Sequence, residues 1–412
     1  MRCLYIFIPL SVALVMLGGC ATIPGNQVAD QVAPHMAPRE FGDHELLDVS
    51  IEVFDPGELP ENKDKQAGLS PEIREAEARF IPIHLKYTLQ RTGYWGTVRI
   101  VPEDDNSAEV LVRGKIEHSD GESTVLMVEA LDSRNVLWFR KTYTETAKPG
   151  EHLTIEPEKE DTFQDMFNTI ANDLAEYRNR LRLRDIKEIQ RIAELRFGRE
   201  MAPDVYGQYT IPDKKGRLKI VHLPAADDPM LHRVRNIRAR DDMLLDTING
   251  YYDAYYLDLW EPYSNWRKFR SEEVATMREI EKSAMTRKVL GVAAIVGAIA
   301  LGANSNENTR VRTSTLQDVL IAGGAYSIYS GVQKSKEATI NKEVIEELGV
   351  SFSSEAEPLV IEVEGETIRL TGSAEQQYGE WRQILKQIYA RETGLVSDET
   401  IPDEQPTAAP AP

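Results

Sequence analysis

The sequence predicts an α+β fold, and three observations predict it. β-branched runs closed by turn pairs recur between positions 46 and 146, amphipathic helix stripes accompany them, and beyond position 184 apolar residues recur mainly at helical spacing. The expected layout is an N-terminal β-α-β-β-β-β-α sandwich over 46–183, then a mainly helical middle over 184–287. A glycine-rich apolar helical hairpin follows at 288–336, and a small C-terminal module of β-hairpin plus helix at 337–395.

The first strand is LLDVSIEVFDPG, ended by Pro56-Gly57. Ser70-Pro71-Glu72 then places an N-cap before a proline at the first helical position, and Ile73, Ala76, Phe80, Ile83 and Tyr87 repeat at three and four. Pro82 stands inside that helix as a candidate kink. GYWGTVRIVP is the next strand. The run from Ala108 to Glu145 divides at Asp120-Gly121 and at Ser133-Arg134-Asn135 into three antiparallel strands. A second helix carries Phe163, Phe167, Ile170, Leu174 and Leu181 on one stripe.

In the middle of the chain, Leu181, Ile186, Ile189, Ile192 and Leu195 alternate with arginines, the pattern of a helix with a solvated face. GRLKIVHLP is a short strand. From Asp227 to Arg287 the pattern is helical, and Tyr251, Tyr255 and Leu259, like Tyr252, Tyr256 and Trp260, are spaced by four. Aromatics at this spacing form a packing stripe or, as the functional alternative, a belt for a membrane or glycan surface. The C-terminal module comprises a helix near Ala338–Leu348, a hairpin turning at Glu364-Gly365, and a helix with Trp381, Leu385, Ile388 and Tyr389. Its VEGETIRLTGSA phrase is similar to BON domains of periplasmic proteins, a resemblance that implies an envelope partner.

The glycine-rich hairpin pairs Val289–Ala303 with Leu316–Val332. Ala294, Ala298 and Gly302 repeat every four residues, as do Ala293 and Gly297, and then Gly323, Ser327 and Gly331. Small residues at that period flatten a helix so that another backbone can approach closely, as in a glycine zipper. Two readings stay open, packing within or between molecules and insertion in a membrane as a hairpin. Each segment is shorter than the roughly 20 residues of a comfortable span, although flanking Arg287, Lys288, Lys334 and Lys336 can snorkel.

The N-terminus, MRCLYIFIPLSVALVMLGGCATIPG, has a short positive region at Arg2, an apolar run from Leu4 to Leu17 and small residues at Gly18-Gly19, the pattern of a secretory signal over 1–19. Its end, Leu17-Gly18-Gly19-Cys20, resembles the lipobox of bacterial lipoproteins. That resemblance implies that Cys20 is lipidated (a diacylglyceryl group on sulfur and a fatty acyl group such as palmitate on the new amine). At roughly 0.8 kcal/mol per buried methylene such chains hold a protein at a membrane. In that family Ala21 directly after the cysteine implies the periplasmic leaflet of the outer membrane. Cys3 would leave with the signal, so no disulfide is expected. Residues 20–45, rich in Pro, Ala and polar side chains, are expected to be a flexible tether, and 396–412 an acidic, Pro-rich disordered tail.

The strand order over 46–183, with VLVRGKI, a turn and LMVEALDSRNVLWFRKTY, resembles three envelope domains: the N-terminal domain of TolB, the curli-secretion lipoprotein, and the lipoprotein activators of penicillin-binding proteins. The resemblance implies a non-enzymatic binding or assembly role. Unlike the curli pore, the chain has no long amphipathic hairpin for a transmembrane barrel.

The residues themselves point away from catalysis. His35, His44, His84, His118, His152, His222 and His232 form no metal-binding spacing, and there is no GxSxG elbow, P-loop or GxGxxG after a strand. No metal and no cofactor are expected. Asp104-Asp105, Asp227-Asp228 and Asp241-Asp242 read as surface charge or helix caps. A net charge of -19 argues against a nucleic-acid partner and against adhesion to anionic lipid through a broad basic face. The expectation is an outer-membrane-anchored scaffold that binds an envelope protein and self-associates as a homo-oligomer through the hairpin. The alternatives are a subunit of an oligomeric export channel and an activator of a peptidoglycan synthase.

Overall fold

A computed structural model of the chain describes residues 26–59, 69–102, 108–147, 161–225, 227–300, 341–350, 359–363 and 366–394. Its fold is α+β. Six strands form the main sheet: β1 (Asn26–Gln27), β2 (Val49–Glu52), β3 (Val98–Val101), β4 (Val110–Ser119), β5 (Ser123–Asp132) and β6 (Leu137–Thr146). Their spatial order is β1-β6-β5-β4-β2-β3. β4, β5 and β6 are the antiparallel meander expected from the turns at Asp120-Gly121 and Ser133-Asn135. β2 runs parallel to both β3 and β4. A parallel pair needs a crossover, which α1 (Pro71–Thr92) supplies between β2 and β3.

Helix α1 begins where its sequence says it should. The Ser70 hydroxyl accepts the Ile73 N–H at 3.2 Å, Pro71 takes the first position, and Gly93 at φ 72° closes the helix. Pro82 is buried inside it, and the helix runs unbroken from Pro71 to Thr92. α2 (Gln164–Arg180) packs beside α1, while Leu181 of the expected stripe is instead the residue that ends α2. α3 (Leu183–Met201) buries Ile186, Ile189, Ile192 and Leu195 and leaves its arginines outward, as the spacing predicts. A one-turn helix α4 (Pro203–Tyr206) leads to a small hairpin, β7 (Thr210–Pro212) and β8 (Leu218–Ile220).

The dominant element is α5 (Pro229–Ala300), a 72-residue helix about 108 Å long at 1.5 Å per residue. It starts on an N-terminal turn in which Asp228 accepts the Met230 N–H at 2.8 Å. Leu231, Val234, Ile237, Leu244, Leu245, Ile248, Tyr252, Tyr255, Tyr256, Leu259, Trp260, Tyr263 and Trp266 are buried at spacings of one, three, four and seven. The aromatic residues are therefore a packing stripe, and the belt reading is set aside: Tyr256 stacks on Phe80 of α1 at 4.8 Å and Tyr263 meets the same ring at 4.7 Å. Near its exit from the body, α5 presses against the β4–β5 turn. Gly121 stands there at φ 86°, and an added Cβ would lie 2.8 Å from the Cβ of Arg270.

The same helix closes one edge of the sheet. β3 is the outermost strand, and the side-chain amide of Asn249 pairs with Ile100 as a neighbouring strand would. Ile100 N–H donates to Asn249 Oδ1 at 2.8 Å, and Asn249 Nδ2 donates to Ile100 O at 2.9 Å. Arg99 on β3 reaches Asp246 at 2.6 Å and Asp242 at 3.3 Å.

Two expectations change. Residues 26–45, predicted as part of a flexible tether, are laid on the domain: β1 pairs in parallel with Tyr143 and Thr144 of β6, and Val28 is buried. Gln31 and Val32 N–H groups donate to Asp165 at 2.8 Å each, and the His35 N–H donates to Asn172 at 2.6 Å. The reason is polar complementarity, which apolar periodicity does not register. The boundary at 287/288 likewise falls inside one continuous helix, so the first glycine-rich segment continues α5 through Ala294, Gly297 and Ala298. Gly302, Gly323, Ser327 and Gly331, the rest of the hairpin stripe, lie outside the described residues, as does Cys20. Among the described residues no helix is long and apolar enough to cross a membrane.

The C-terminal module comprises α6 (341–350), the hairpin β9 (Leu359–Val363) and β10 (Glu366–Leu370), and α7 (Ala374–Thr393), which Ser373 and Gln376 start with a capping box. α7 docks on α5, where Arg382 bridges Asp241 of α5 and Glu200 of α3. Its buried residues join the same core as the sheet.

Asn249→Ala should lower stability by about 2–3 kcal/mol, because it leaves both backbone groups of Ile100 buried without partners. Asp246→Ala, on the exposed side of the same contact, should cost under about 1 kcal/mol. Urea unfolding of the two variants against the parent measures the contrast.

Candidate functional site

α3, the β8 hairpin and the first turns of α5 enclose an open groove of about 800 Å³. α3 contributes Arg184, Lys187 and Arg191, and α5 contributes Arg235 and Arg238. Glu188, Glu194 and Asp242 are the carboxylates along it, and Ile220, Leu223 and Val234 are apolar. Glu194 is shared by Arg191, at 2.8 Å, and Arg235, while Glu188 faces Arg134 at 3.5 Å. In a chain with an excess of acid, the groove is locally cationic. The spacing of Arg235 and Arg238 by three on one helix, and of Arg184, Lys187 and Arg191 by three and four on the other, turns both rows into the same cleft.

At one end the groove meets a smaller cavity of about 20 Å³, with which it shares Arg238 and Asp242. Asp48, just before β2, and Glu109, just before β4, converge there because β2 and β4 are parallel and start at the same end of the sheet. The Asp48 N–H donates to Glu109 Oε2 at 2.9 Å, and Asp48 Oδ1 accepts the Thr97 N–H at 2.6 Å. Burial pushes the Glu109 carboxyl up to about 7, with the neighbouring Asp48 charge adding to it. The cationic side chains along both walls suit an anionic, partly extended ligand, and the carboxyls of the small cavity bound where an anion can lie.

The sequence-predicted positions distribute differently. His84 lies in the core, its Nδ1 2.7 Å from Tyr256 OH and its Nε2 2.9 Å from Gln164 Oε1. It is a satisfied structural histidine, as expected. Burial lowers its pKa, consistent with a neutral ring. His35 lies by the N-terminal segment and His222 beside Tyr209, so the structure does not bring them together. Asp241, expected as surface charge or a helix cap, is instead buried against Arg382, whereas Asp242 remains surface charge and pairs with Arg99. Asp104-Asp105 and His152 lie outside the described residues. Among the described residues no cluster of three or more His, Cys, Asp or Glu side chains could hold a metal ion. Sequence reasoning missed Glu109, Asp48 and Arg238; only the arginines alternating with Ile186, Ile189 and Ile192 marked one wall, and they read as a solvated face.

A carboxyl whose folded pKa is raised stabilises the fold below its unfolded value near 4.5, and that contribution is lost as pH rises toward 7. Glu109→Gln should therefore gain about 1–2 kcal/mol over the parent at pH 8 relative to pH 5. Parallel unfolding curves at the two pH values read the difference.

No protein-family model, no curated protein and no solved structure matches the chain.

Proposed function

We propose that the chain is a lipid-anchored, non-catalytic scaffold of the bacterial outer membrane, attached through Cys20 and facing the periplasm. The observation that carries this reading is Leu17-Gly18-Gly19-Cys20 at the end of a complete signal pattern, a few residues before the first strand at Asn26. The cationic groove supports a role in binding, and the partner that fits it is an acidic, extended segment of an envelope protein. The continuation of α5 into a segment carrying Ala294, Gly297 and Ala298 supports self-association at a distance from that groove. The same feature favours a second reading, a subunit of an oligomeric export channel assembled from these helices.

Mass spectrometry of the protein from membranes should find acyl groups on Cys20, and Cys20→Ala should abolish them. Cross-linking in living cells should give multimers of the chain together with a partner. Deleting 289–332 should abolish the multimers while leaving the body folded, because the described core contacts of α5 end near Ser271. Arg191→Glu with Arg235→Glu should lower partner recovery at least tenfold and leave the multimers intact. Multimers that survive the deletion would remove the assembly role of the glycine-rich region.

A further inference from the structure

The β7–β8 hairpin is a basic, exposed element. It reads TIPDKKGRLKI, and Lys214, Lys215, Arg217 and Lys219 are exposed around a turn that Asp213 and Gly216 close. Arg217 pairs with Asp213 at 2.7 Å, with Lys219 3.8 Å from the same carboxylate, while Lys214 and Lys215 form no ion pair among the described residues.

The outer face of the hairpin is also apolar. Ile211 is directly opposite Lys219, and Val221 N–H donates to Tyr209 O one step along, so alternation puts Ile211, Lys219 and Val221 on one face. Thr210, the neighbour that points the other way, is buried. Ile211 is 54% exposed, Val221 53% and Leu223 50%. Exposed apolar side chains beside Lys219, and close to a turn whose Lys214 and Lys215 form no ion pair among the described residues, are out of place on a face that meets only water.

The position of this face identifies its partner. The hairpin is fastened to the β5–β6 turn, where Leu218 N–H donates to Arg134 O at 2.8 Å and Asn135 Nδ2 to Gly216 O at 3.4 Å. β6 leaves that turn at Leu137, whose side chain is 50% exposed. β1 is parallel to β6 at Tyr143, so its N-terminal end is directed toward Leu137. Six residue steps separate Asn26 from Cys20, which limits the reach between them to about 20 Å. The same number of steps along β6 separates Tyr143 from Leu137, again about 20 Å.

We propose that the outer face of the β7–β8 hairpin is a second membrane contact, in which Ile211, Val221 and Leu223 enter the headgroup region of an anionic lipid surface and Lys214, Lys215 and Lys219 meet its phosphates. The argument from position rests on the lipid-anchor reading; the chemistry of the face does not. One acyl anchor fixes a point, and a second contact sets which way the body faces. The cationic groove, which Leu223 and Ile220 also line, would then open beside the membrane.

The test uses the full chain carrying Cys3→Ser and Cys20→Ala, so that no acyl group is attached and an introduced thiol is unique. Ile211→Cys is labelled with an environment-sensitive fluorophore, and Glu380→Cys, exposed on α7, is the control. With vesicles of phosphatidylcholine and phosphatidylglycerol at 7:3, the label at 211 should shift to the blue and brighten at least twofold, and that at 380 should not change. The response should fall at least tenfold in apparent affinity when Lys214→Glu, Lys215→Glu and Lys219→Glu are added, and it should weaken in 0.5 M salt. A label at 211 that behaves like the one at 380 would overturn the proposal, including the case in which vesicles bind through the signal or residues 289–332. So would an unchanged response in the lysine variants. Absence of acyl groups from Cys20 in cells would instead remove the anchor reading and leave the fluorescence result standing.

Discussion

One buried ion pair seats the longest helix of the molecule. Arg267 of α5 donates to both oxygens of Asp161, at 3.0 and 2.6 Å, with almost none of either side chain in contact with solvent. Asp161 also accepts the Phe163 N–H at 2.8 Å, at the entry to α2, and the guanidinium lies 4.5 Å from the centre of the Tyr263 ring. Desolvating both charges is expensive, and these partners offset it while leaving Arg267 Nε buried without an acceptor among the described residues. Arg267 and the backbone hydrogen bond hold the Asp161 carboxyl well below the usual carboxylate range, although burial alone would raise it. Its contribution is therefore fully present above the usual carboxylate range and is lost as pH falls below that range toward the lowered value. Around this pair, Tyr263 donates to Glu77 at 2.9 Å, and Ser119 donates to the same carboxylate at 2.5 Å. The sheet, α1 and α5 are thus held in register by charge as well as by packing.

A second chain of hydrogen bonds ties the N-terminal segment to the same helix. Val32 O accepts from Asn168 Nδ2 at 2.7 Å, which turns Asn168 Oδ1 toward Gln164 Nε2 at 2.9 Å. Gln164 Oε1 then faces His84 Nε2, so that nitrogen carries the proton and Nδ1 accepts from Tyr256 OH. A backbone carbonyl near the chain's start thereby sets the tautomer of a histidine in the core and the hydroxyl direction of a tyrosine on α5. No such relay follows from residue spacing.

The contrast between what could and could not be read in the sequence has a physical basis. Alternation and turn chemistry are local, so β4, β5 and β6 and their turns at Gly121 and Asn135 were legible, as were the Ser70 cap and the aromatic stripe of α5. Partners distant in sequence were not. Asn249 lies 149 positions from the Ile100 backbone that it satisfies, and Arg382 lies 141 from Asp241. Asp241 looked like surface charge because an acidic pair in the sequence carries no mark of the arginine that will meet it. The groove was invisible for the same reason, since its walls come from two helices and its acidic end from residues just before two strands. Residues 26–45 were misread because their order comes from backbone hydrogen bonds to Asp165 and Asn172, which composition does not record.

The parallel pairing of β1 with β6 also bears on mechanics. Tension applied at the N-terminal side of Asn26 and directed along β6 toward Leu137 would load the β1–β6 hydrogen bonds in shear, with the contacts of Gln31 and Val32 to Asp165 and of His35 to Asn172 behind them. Bonds loaded in shear share a force, whereas a strand peeled from its end yields one bond at a time. In that direction the β1–β6 pairing would behave as a strap sewn along its length.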